Sequence, residues 1–238
     1  MKTPILLVLL FAFAVTTQAG TDSSDIVQSF YHKHQAGVRA GVWSNLGGTP
    51  GENLPSGITT GGQDFADANF YVEGFFGVRI IKGLVGEVSV GIASRGEAIL
   101  REDNTNYVGN LLVYPILAKA KFYPMSGTGS AWQPYILLGG GLYHVRHDIQ
   151  FATGGSGSIL PFLEEASETS ADFVLGGGVD RPVASMLALS LNVQYMPIKQ
   201  SKALIGVDDW SSLTITVGAT YLFRSTGDKE NTRKGRMR

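Results

Sequence analysis

The residues best suited to acid–base chemistry occur in the segment YHVRHD, which contains His144, Arg146, His147 and Asp148. A histidine that is hydrogen-bonded to a serine and oriented by a carboxylate can act as a general base in hydrolysis or acyl transfer. In an extended strand, successive side chains point to opposite faces, so His144 and His147 would not share one face. We therefore predict that the chain has no catalytic residues and is not an enzyme.

Metal binding is the second chemistry to consider, because His32 and His34 (HKH) would share a face of an extended segment. A zinc site needs three or four ligands, and no third ligand is evident nearby. The chain also has no cysteines, which excludes thiolate ligands, disulfides and cysteine catalysis. The glycine runs at 139–141 and 176–178 lie inside strand-like stretches, where they do not form nucleotide-binding loops. We predict no metal, no cofactor and no nucleic-acid partner.

The N-terminal segment resembles a secretory signal peptide. Lys2 precedes the apolar run PILLVLLFAFAV, and small residues at 17–19 offer a cleavage site. The run is about a dozen residues long, whereas a membrane-spanning helix needs about 20. We assign residues 1–19 to a cleaved signal peptide and expect export to the cell outer membrane.

Composition and charge are also unusual for a soluble domain. Charged residues make up 16% of the chain, against about 25% in soluble globular domains, and there are 31 glycines. The tail at 224–238 carries six basic and two acidic residues, although the formal net charge of the chain is -1. We expect this basic tail to be disordered and periplasmic, with contact to the cell wall as one role.

The stretch SSLTITVGATYLF alternates apolar residues with polar or small ones and ends in the aromatic residue Phe223. Leu213, Ile215 and Val217 share one face of this strand, while Thr214 shares the other with further polar residues. A strand with one apolar and one polar face is typical of membrane β-barrels, which close on themselves and leave no backbone group unpaired in lipid.

Seven further stretches resemble strands. Their bounds are about 36–44, 69–80, 83–93, 108–123, 133–147, 171–181 and 185–197. Their connections alternate between long and short, as in outer-membrane barrels with short turns on one side and long loops on the other. We predict an all-β, eight-stranded, antiparallel up-and-down transmembrane barrel over residues 36–223, after a solvated periplasmic lead-in at 20–35.

Charged residues fall mainly on one parity of these strands. An outward Lys or Arg at the bilayer midplane costs about 2–4 kcal/mol, so this parity should face the lumen. The predicted lumen-lining residues are Arg39, Glu73, Arg79, Glu87, Lys119, Lys121, His144, Arg146, Asp172 and Asp180. Similar heights on neighbouring strands predict two ion pairs, Arg39 with Glu73 and Glu87 with Lys119. The same alternation places Tyr135, Leu137, Tyr143 and Val145 on the outer face.

Apolar residues in the two last long loops could frame an entrance for small hydrophobic molecules. This predicted gate consists of Ile159, Leu160, Phe162, Leu163, Leu204, Ile205 and Trp210.

Four segments resemble the small outer-membrane β-barrel proteins of Gram-negative bacteria, most closely the outer-membrane protein W-like group. These segments are NLLVYPILAKAKFYP, WQPYILLGGGLY, FVLGGGVDRPVASMLALSLNVQYMPIK and TVGATYLF. The resemblance implies an eight-stranded barrel associated with the passage of small hydrophobic compounds. One departure is that a basic extension follows Phe223, whereas such barrels commonly end at the terminal aromatic that the assembly machinery recognises.

The resulting hypothesis is a narrow conduit for small hydrophobic molecules in the outer membrane. Three alternatives stay open: a plugged structural or surface-interaction barrel, a lipid-modifying outer-membrane enzyme, and a soluble lipocalin-like barrel. The expected partners are outer-membrane lipids, lipopolysaccharide and the outer-membrane assembly machinery.

Overall fold

The computed structural model describes residues 26–27, 30–48, 58–64, 68–102, 105–126, 128–153, 167–204 and 207–224. Within these residues the chain forms β-strands almost throughout. The strands are β1 (His34–Asn45), β2 (Ile58–Asp64), β3 (Ala68–Ile81), β4 (Leu84–Glu102), β5 (Thr105–Phe122), β6 (Gln133–Thr153), β7 (Ser167–Ala184), β8 (Leu187–Met196), β9 (Lys199–Leu204), β10 (Val207–Asp209) and β11 (Ser212–Phe223). No helix in these residues is long and apolar enough to cross a membrane.

Eight of the strands close into an antiparallel barrel in the order β1, β3, β4, β5, β6, β7, β8 and β11. The first strand closes the ring because Val38 pairs with Gly74 of β3 on one side and with Ala219 of β11 on the other. The predicted eight-stranded up-and-down barrel is therefore confirmed. Outside it, β2 pairs with β4, and β9 pairs with β10.

We call the two ends of the barrel the turn end and the loop end. At the turn end, residues 82–83, 123–132 and 185–186 connect neighbouring strands. Gly83 has a φ of 88°, which favours glycine in this tight turn. The connections at residues 46–67, 154–166 and 197–211 lie at the opposite end, where residues 103–104 also join β4 to β5 in a short connection.

Two hairpins extend further at the loop end than the sequence predicts. Residues 94–106 were expected to be a loop, but β4 continues to Glu102 and β5 begins at Thr105. A register shift between Ser94 and Gly96 lets the pairing continue through these polar residues. The predicted loop at 148–170 is also partly strand, since β6 ends at Thr153 and β7 begins at Ser167.

The outer surface carries a belt of exposed apolar side chains. Ile215 and Val90, for example, are 50% and 56% exposed, while Thr214 and Ser89 beside them are buried. The belt, as we call it below, consists of Val38, Phe70, Phe76, Val78, Val88, Val90, Ile92, Ile116, Phe122, Ile136, Leu138, Leu142, Phe173, Leu175, Val193, Ile215 and Tyr221. Soluble monomers rarely expose so extensive an apolar surface.

The orientation predicted for β6 is wrong. Tyr135, Leu137, Tyr143 and Val145 are buried in the interior, whereas Ile136, Leu138 and Leu142 face outward. Both faces of this strand are apolar or glycine, so alternation alone does not identify the inner one. The pairing with β5 decides it, because Leu137 lies opposite Lys121 and residues opposite each other share a face.

Interior glycines allow the strands to approach closely where the barrel curves. A Cβ atom on Gly141 would lie 2.0 Å from the carbonyl oxygen of Ile116 on β5. Glycine at this position therefore permits the curvature that barrel closure requires.

Candidate functional site

The centre of the barrel interior holds five charged side chains, which we call the ionic layer: Arg39, Glu73, Glu87, Lys119 and Lys121. Arg39 Nη1 lies 2.6 Å from Glu73 Oε1, and Arg39 Nη2 lies 2.6 Å from Glu87 Oε2. Lys119 Nζ lies 2.7 Å from Glu73 Oε2 and 3.0 Å from Glu87 Oε1, while Lys121 Nζ lies 2.7 Å from Glu87 Oε2. These side chains are 0–1% exposed.

Strand register explains why these residues meet. Arg39 on β1 lies directly opposite Glu73 on β3, and Glu87 on β4 lies directly opposite Lys119 on β5. Directly opposed residues of antiparallel strands have neighbouring side chains. The structure thus brings both predicted ion pairs into contact; Glu73 also contacts Lys119, and Glu87 also contacts Arg39 and Lys121.

Neutral groups also contact the charged side chains of the ionic layer. Tyr71 and Ser89 donate hydrogen bonds to Glu73 Oε2 at 3.2 and 2.9 Å. The guanidinium of Arg39 stacks on Phe75, with Cζ 3.7 Å from the ring centroid. Buried charges are tolerated only when they are paired and hydrogen-bonded, and this network meets that condition.

A second layer closes the turn end and includes the N-terminal segment. Val27, Phe30 and Tyr31 are buried, and we call these three residues the plug. Arg79 Nη2 donates to the carbonyl oxygen of Phe30 at 3.1 Å, and Arg79 Cζ lies 5.2 Å from the Phe30 ring centroid. The rings of Phe30 and Tyr123 meet edge to face with centroids 5.7 Å apart.

The lead-in was predicted to be solvated, and for the plug this is wrong. Its aromatic and aliphatic side chains fill the mouth of the barrel instead, which removes apolar area from water. Burial raises the pKa of Tyr31 to about 12, and nearby Arg79 offsets part of that rise. His32 is exposed, and His34 begins β1, where its Nδ1 accepts a hydrogen bond from the backbone of Arg79.

The two predicted aspartates lie at different heights on the inner face of β7. Asp180 is buried near the turn end and accepts a hydrogen bond of 2.6 Å from the Tyr123 hydroxyl. Asp172 is half-buried near the loop end, where its carboxylate accepts a hydrogen bond from the backbone of Lys199. Asp172 therefore attaches β9 to the barrel and lies apart from the ionic layer.

The interior between the ionic layer and the loop end is largely apolar and aromatic. Trp43 and Tyr71 are fully buried, with ring centroids 5.5 Å apart, and Tyr143 and Val113 are buried as well. The sequence analysis did not assign Trp43 and Tyr71 to the lumen, because it identified lumen-facing residues by their charge. Their positions nevertheless indicate the lumen, since Trp43 and Tyr71 have the same parity as Arg39 and Glu73.

His144 and Arg146 were predicted to line the lumen, and this is wrong. Both point outward on β6; His144 is half-buried and Arg146 is exposed. His144 Nδ1 is hydrogen-bonded to Thr169 Oγ1 at 2.9 Å. An outward cation is tolerated here because these positions lie beyond Leu142, the last belt residue on this strand.

The structure describes only part of the predicted gate. Residues Ile159, Leu160, Phe162, Leu163 and Ile205 lie outside the described residues, and Leu204 ends β9. Trp210 is 1% exposed, and its backbone N–H donates to the carbonyl oxygen of Ile198 at 2.7 Å. Among the described residues, no group of three or more His, Asp or Glu could hold a metal ion.

No protein-family model matches the sequence, and no curated protein matches it. Solved structures do match. The crystal structure of Neisserial surface protein A has a TM-score of 0.50 and 17% identity, with 80% of this chain and 96% of that chain covered. The chain has the fold of a small outer-membrane β-barrel.

Two further structures with this fold are similar at lower TM-scores. The outer membrane protein OprG from Pseudomonas aeruginosa has a TM-score of 0.48 and 16% identity, with 83% of this chain and 99% of that chain covered. The E. coli outer membrane protein W has a TM-score of 0.38 and 15% identity, with 81% of this chain and 98% of that chain covered. Both TM-scores are below 0.5, so neither structure supports an inference about this small barrel, whose function depends on its own residues.

Proposed function

We propose that this protein is an integral, non-enzymatic barrel of the outer membrane, exported through a cleaved signal peptide. The belt supports this proposal, because exposed apolar side chains surround the barrel at the height where the interior carries its charges. A lipid-facing exterior and a polar interior are the arrangement expected of such barrels. The aromatic side chains of Phe122 and Tyr221, exposed near the turn end, fit an interfacial girdle.

Within the membrane, we propose a barrel closed to solutes that acts as a structural or surface-interaction protein. The ionic layer carries this proposal: five side chains, 0–1% exposed, hold one another across the interior. An apolar solute that crossed this layer would have to separate buried ion pairs, which costs several kcal/mol when one partner is left uncompensated. The plug adds a second closed layer at the turn end.

Passage of small hydrophobic molecules, which the family resemblance implies, is the second candidate function. The apolar interior around Trp43, Tyr71 and Tyr143 favours it, because this region could accept an apolar molecule from the loop end. Such a molecule would reach the ionic layer and go no further.

Solute flux distinguishes the two candidates. Purified protein is reconstituted into planar bilayers for ion conductance and into liposomes for uptake of a small hydrophobic dye. A closed barrel gives the background values of empty membranes in both assays. The matched control is the Arg39→Gly, Glu73→Gly double variant, which removes two side chains of the ionic layer together and should raise conductance. Dye uptake by the unaltered protein would contradict the closed barrel and support the conduit.

For partners, we propose lipopolysaccharide at the loop end and the outer-membrane assembly machinery at the closing strand. Arg146 is exposed and lies beyond Leu142, the last belt residue of β6, where a guanidinium would lie outside the apolar belt and could bind a lipid phosphate. Phe223 ends β11 and stacks with Tyr221, with centroids 6.1 Å apart, as a terminal aromatic recognised during assembly would require. Contact of the basic tail with the cell wall is a further proposal.

A further inference from the structure

The wall formed by β8 and β11 differs from the charged wall opposite. Its lumen-facing side chains are short, polar and uncharged: Ser190, Asn192, Gln194 and Thr216 are at most 6% exposed. Asn192 pairs with Thr216 across the two strands, and Ser190 pairs with Gly218. We call these four residues the polar seam.

Much of the hydrogen-bonding capacity of the polar seam is unused by the protein. Ser190 Oγ, Thr216 Oγ1, Gln194 Nε2 and both side-chain polar atoms of Asn192 find no hydrogen-bond partner among the described residues. A buried polar group without a partner is costly, and native proteins commonly satisfy such groups with ordered water. Several unsatisfied polar groups on one wall of the lumen therefore indicate that these groups share a ligand.

The same polar atoms indicate what that ligand is. They include donors, such as Gln194 Nε2, and hydroxyl or amide oxygens that accept, so the ligand must both donate and accept hydrogen bonds. An ion would find no charged side chain on the polar seam itself, and the five charges of the ionic layer are already paired with one another. Water meets both conditions.

The polar seam also adjoins the ionic layer. Lys119 Nζ donates to Gln194 Oε1 at 3.4 Å, and Arg39 Nε finds no partner among the described residues. A Cβ atom on Gly218 would lie 2.7 Å from Arg39 Cγ and 2.9 Å from Ser190 Oγ, so glycine leaves these two side chains close together. A ligand on the seam would therefore also solvate the charged side chains.

Further buried polar atoms without a hydrogen-bond partner among the described residues lie toward both ends of the barrel. Ser212 Oγ on β11, nearer the loop end, and both polar atoms of the Gln35 side chain on β1, nearer the turn end, find no partner among the described residues. Ser212 and Gln35 are each 0% exposed. The unsatisfied groups on β8, β11 and β1 thus extend along the length of the lumen, while others, such as Tyr135 Oη on β6 and Arg79 Nη1 on β3, lie on other walls.

We propose that the polar seam binds a file of ordered water molecules that extends from Ser212 toward Gln35. This water is a structural ligand of the closed barrel: it satisfies the seam and keeps the ionic layer solvated within a membrane. The inference goes beyond the proposed function, because a conduit and a closed barrel could each contain such a file.

Water-edited solid-state NMR of the full chain in lipid bilayers tests the proposal. Polarisation that starts on water should reach the side-chain amides of Asn192 and Gln194 quickly. The internal reference is Leu117, which is 1% exposed and has no polar side-chain atom, so its side chain should receive the polarisation slowly. Transfer to the amides that is no faster than transfer to Leu117 would overturn the proposal.

Two variants make the test independent of signal assignment. Asn192→Leu keeps the branched side-chain shape, removes both polar atoms and should cause loss of water transfer at Gln194 and Thr216, with the native barrel verified by its heat-modifiable gel migration. Thr216→Val removes one hydroxyl and should lower the urea midpoint of unfolding when water binds that hydroxyl. A raised midpoint would identify a dry, unsatisfied hydroxyl and refute the water file. Thr214→Val is the matched control, since its hydroxyl already donates to the carbonyl oxygen of Gln194.

Discussion

Glu87 and Lys119 lie directly opposite each other on β4 and β5, and their side chains meet in the barrel interior with Oε1 and Nζ 3.0 Å apart. Glu87 also contacts Arg39 and Lys121, so this one carboxylate neutralises charge contributed by two strands. Removing it leaves three cations to share Glu73. Loss of a carboxylate should therefore destabilise the barrel more than loss of a cationic side chain from the ionic layer.

Glu87→Gln should destabilise the barrel by about 3–5 kcal/mol, the range measured when one partner of a buried ion pair is removed. Lys121→Met should cost less, because it removes a cation from a layer with more cations than carboxylates and substitutes an apolar side chain of similar length. Urea unfolding in lipid vesicles, followed by tryptophan fluorescence, measures both. Lys82→Gln, in the exposed turn, is the control and should have no effect. Equal losses for Glu87→Gln and Lys82→Gln would show that the layer is not important for stability.

The belt makes a separate prediction about the lipid-facing surface. Val90→Arg places a charge at a belt residue in the middle of β4 and should cost about 2–4 kcal/mol of stability in lipid vesicles. Ile81→Arg introduces the same residue at the turn end, where the cost should fall to about 0–1 kcal/mol. Unfolding titrations of the two variants give the difference. Similar costs at the two positions would contradict a bilayer centred on the belt.

The regular parts of the barrel were predictable from the sequence because their two faces differ clearly. Along β11, Thr214 and Thr216 alternate with Ile215 and Val217, and the charged residues on the other strands identify the polar face as the inner one. The charged residues also allowed the ion pairs to be predicted, since Arg39 and Glu73 cannot face lipid.

Other features depend on contacts that a single sequence does not contain. The orientation of β6 is set by pairing with β5, because glycine and apolar residues occupy both of its faces. The prediction that Arg146 lines the lumen was wrong, because a charged residue indicates the inner face only within the height of the belt. The burial of Phe30 depends on Arg79 and Tyr123, which are distant in sequence and come together only when the barrel closes.

Arg146 offers a test of the proposed lipopolysaccharide contact. Arg146→Ala should weaken binding of the folded barrel to lipopolysaccharide, because a guanidinium binds phosphate through charge-assisted hydrogen bonds. Lys82→Ala removes a cation at the opposite end and is the matched control. Co-migration with purified lipopolysaccharide in native gels measures the effect. Equal binding by the two variants would remove Arg146 from the proposed contact.

The docking of the plug should depend on pH through Tyr31. Burial raises the pKa of this tyrosine from 10.0 to about 12, so the docked segment favours the neutral phenol. The undocked segment ionises from about pH 10 upward, and the stabilisation present below that pH is lost as the pH rises toward 12. We expect the plug to undock in this alkaline window.

A single reporter can detect that undocking, because the chain has no cysteine of its own. His32→Cys places one thiol at an exposed position beside Tyr31, where an environment-sensitive dye reports docking. Adding Tyr31→Phe keeps the ring but removes the ionisable hydroxyl, so the dye signal should stay constant between pH 10 and 12. A transition that persists in this double variant would assign the pH dependence to another group and leave Tyr31 with a packing role only.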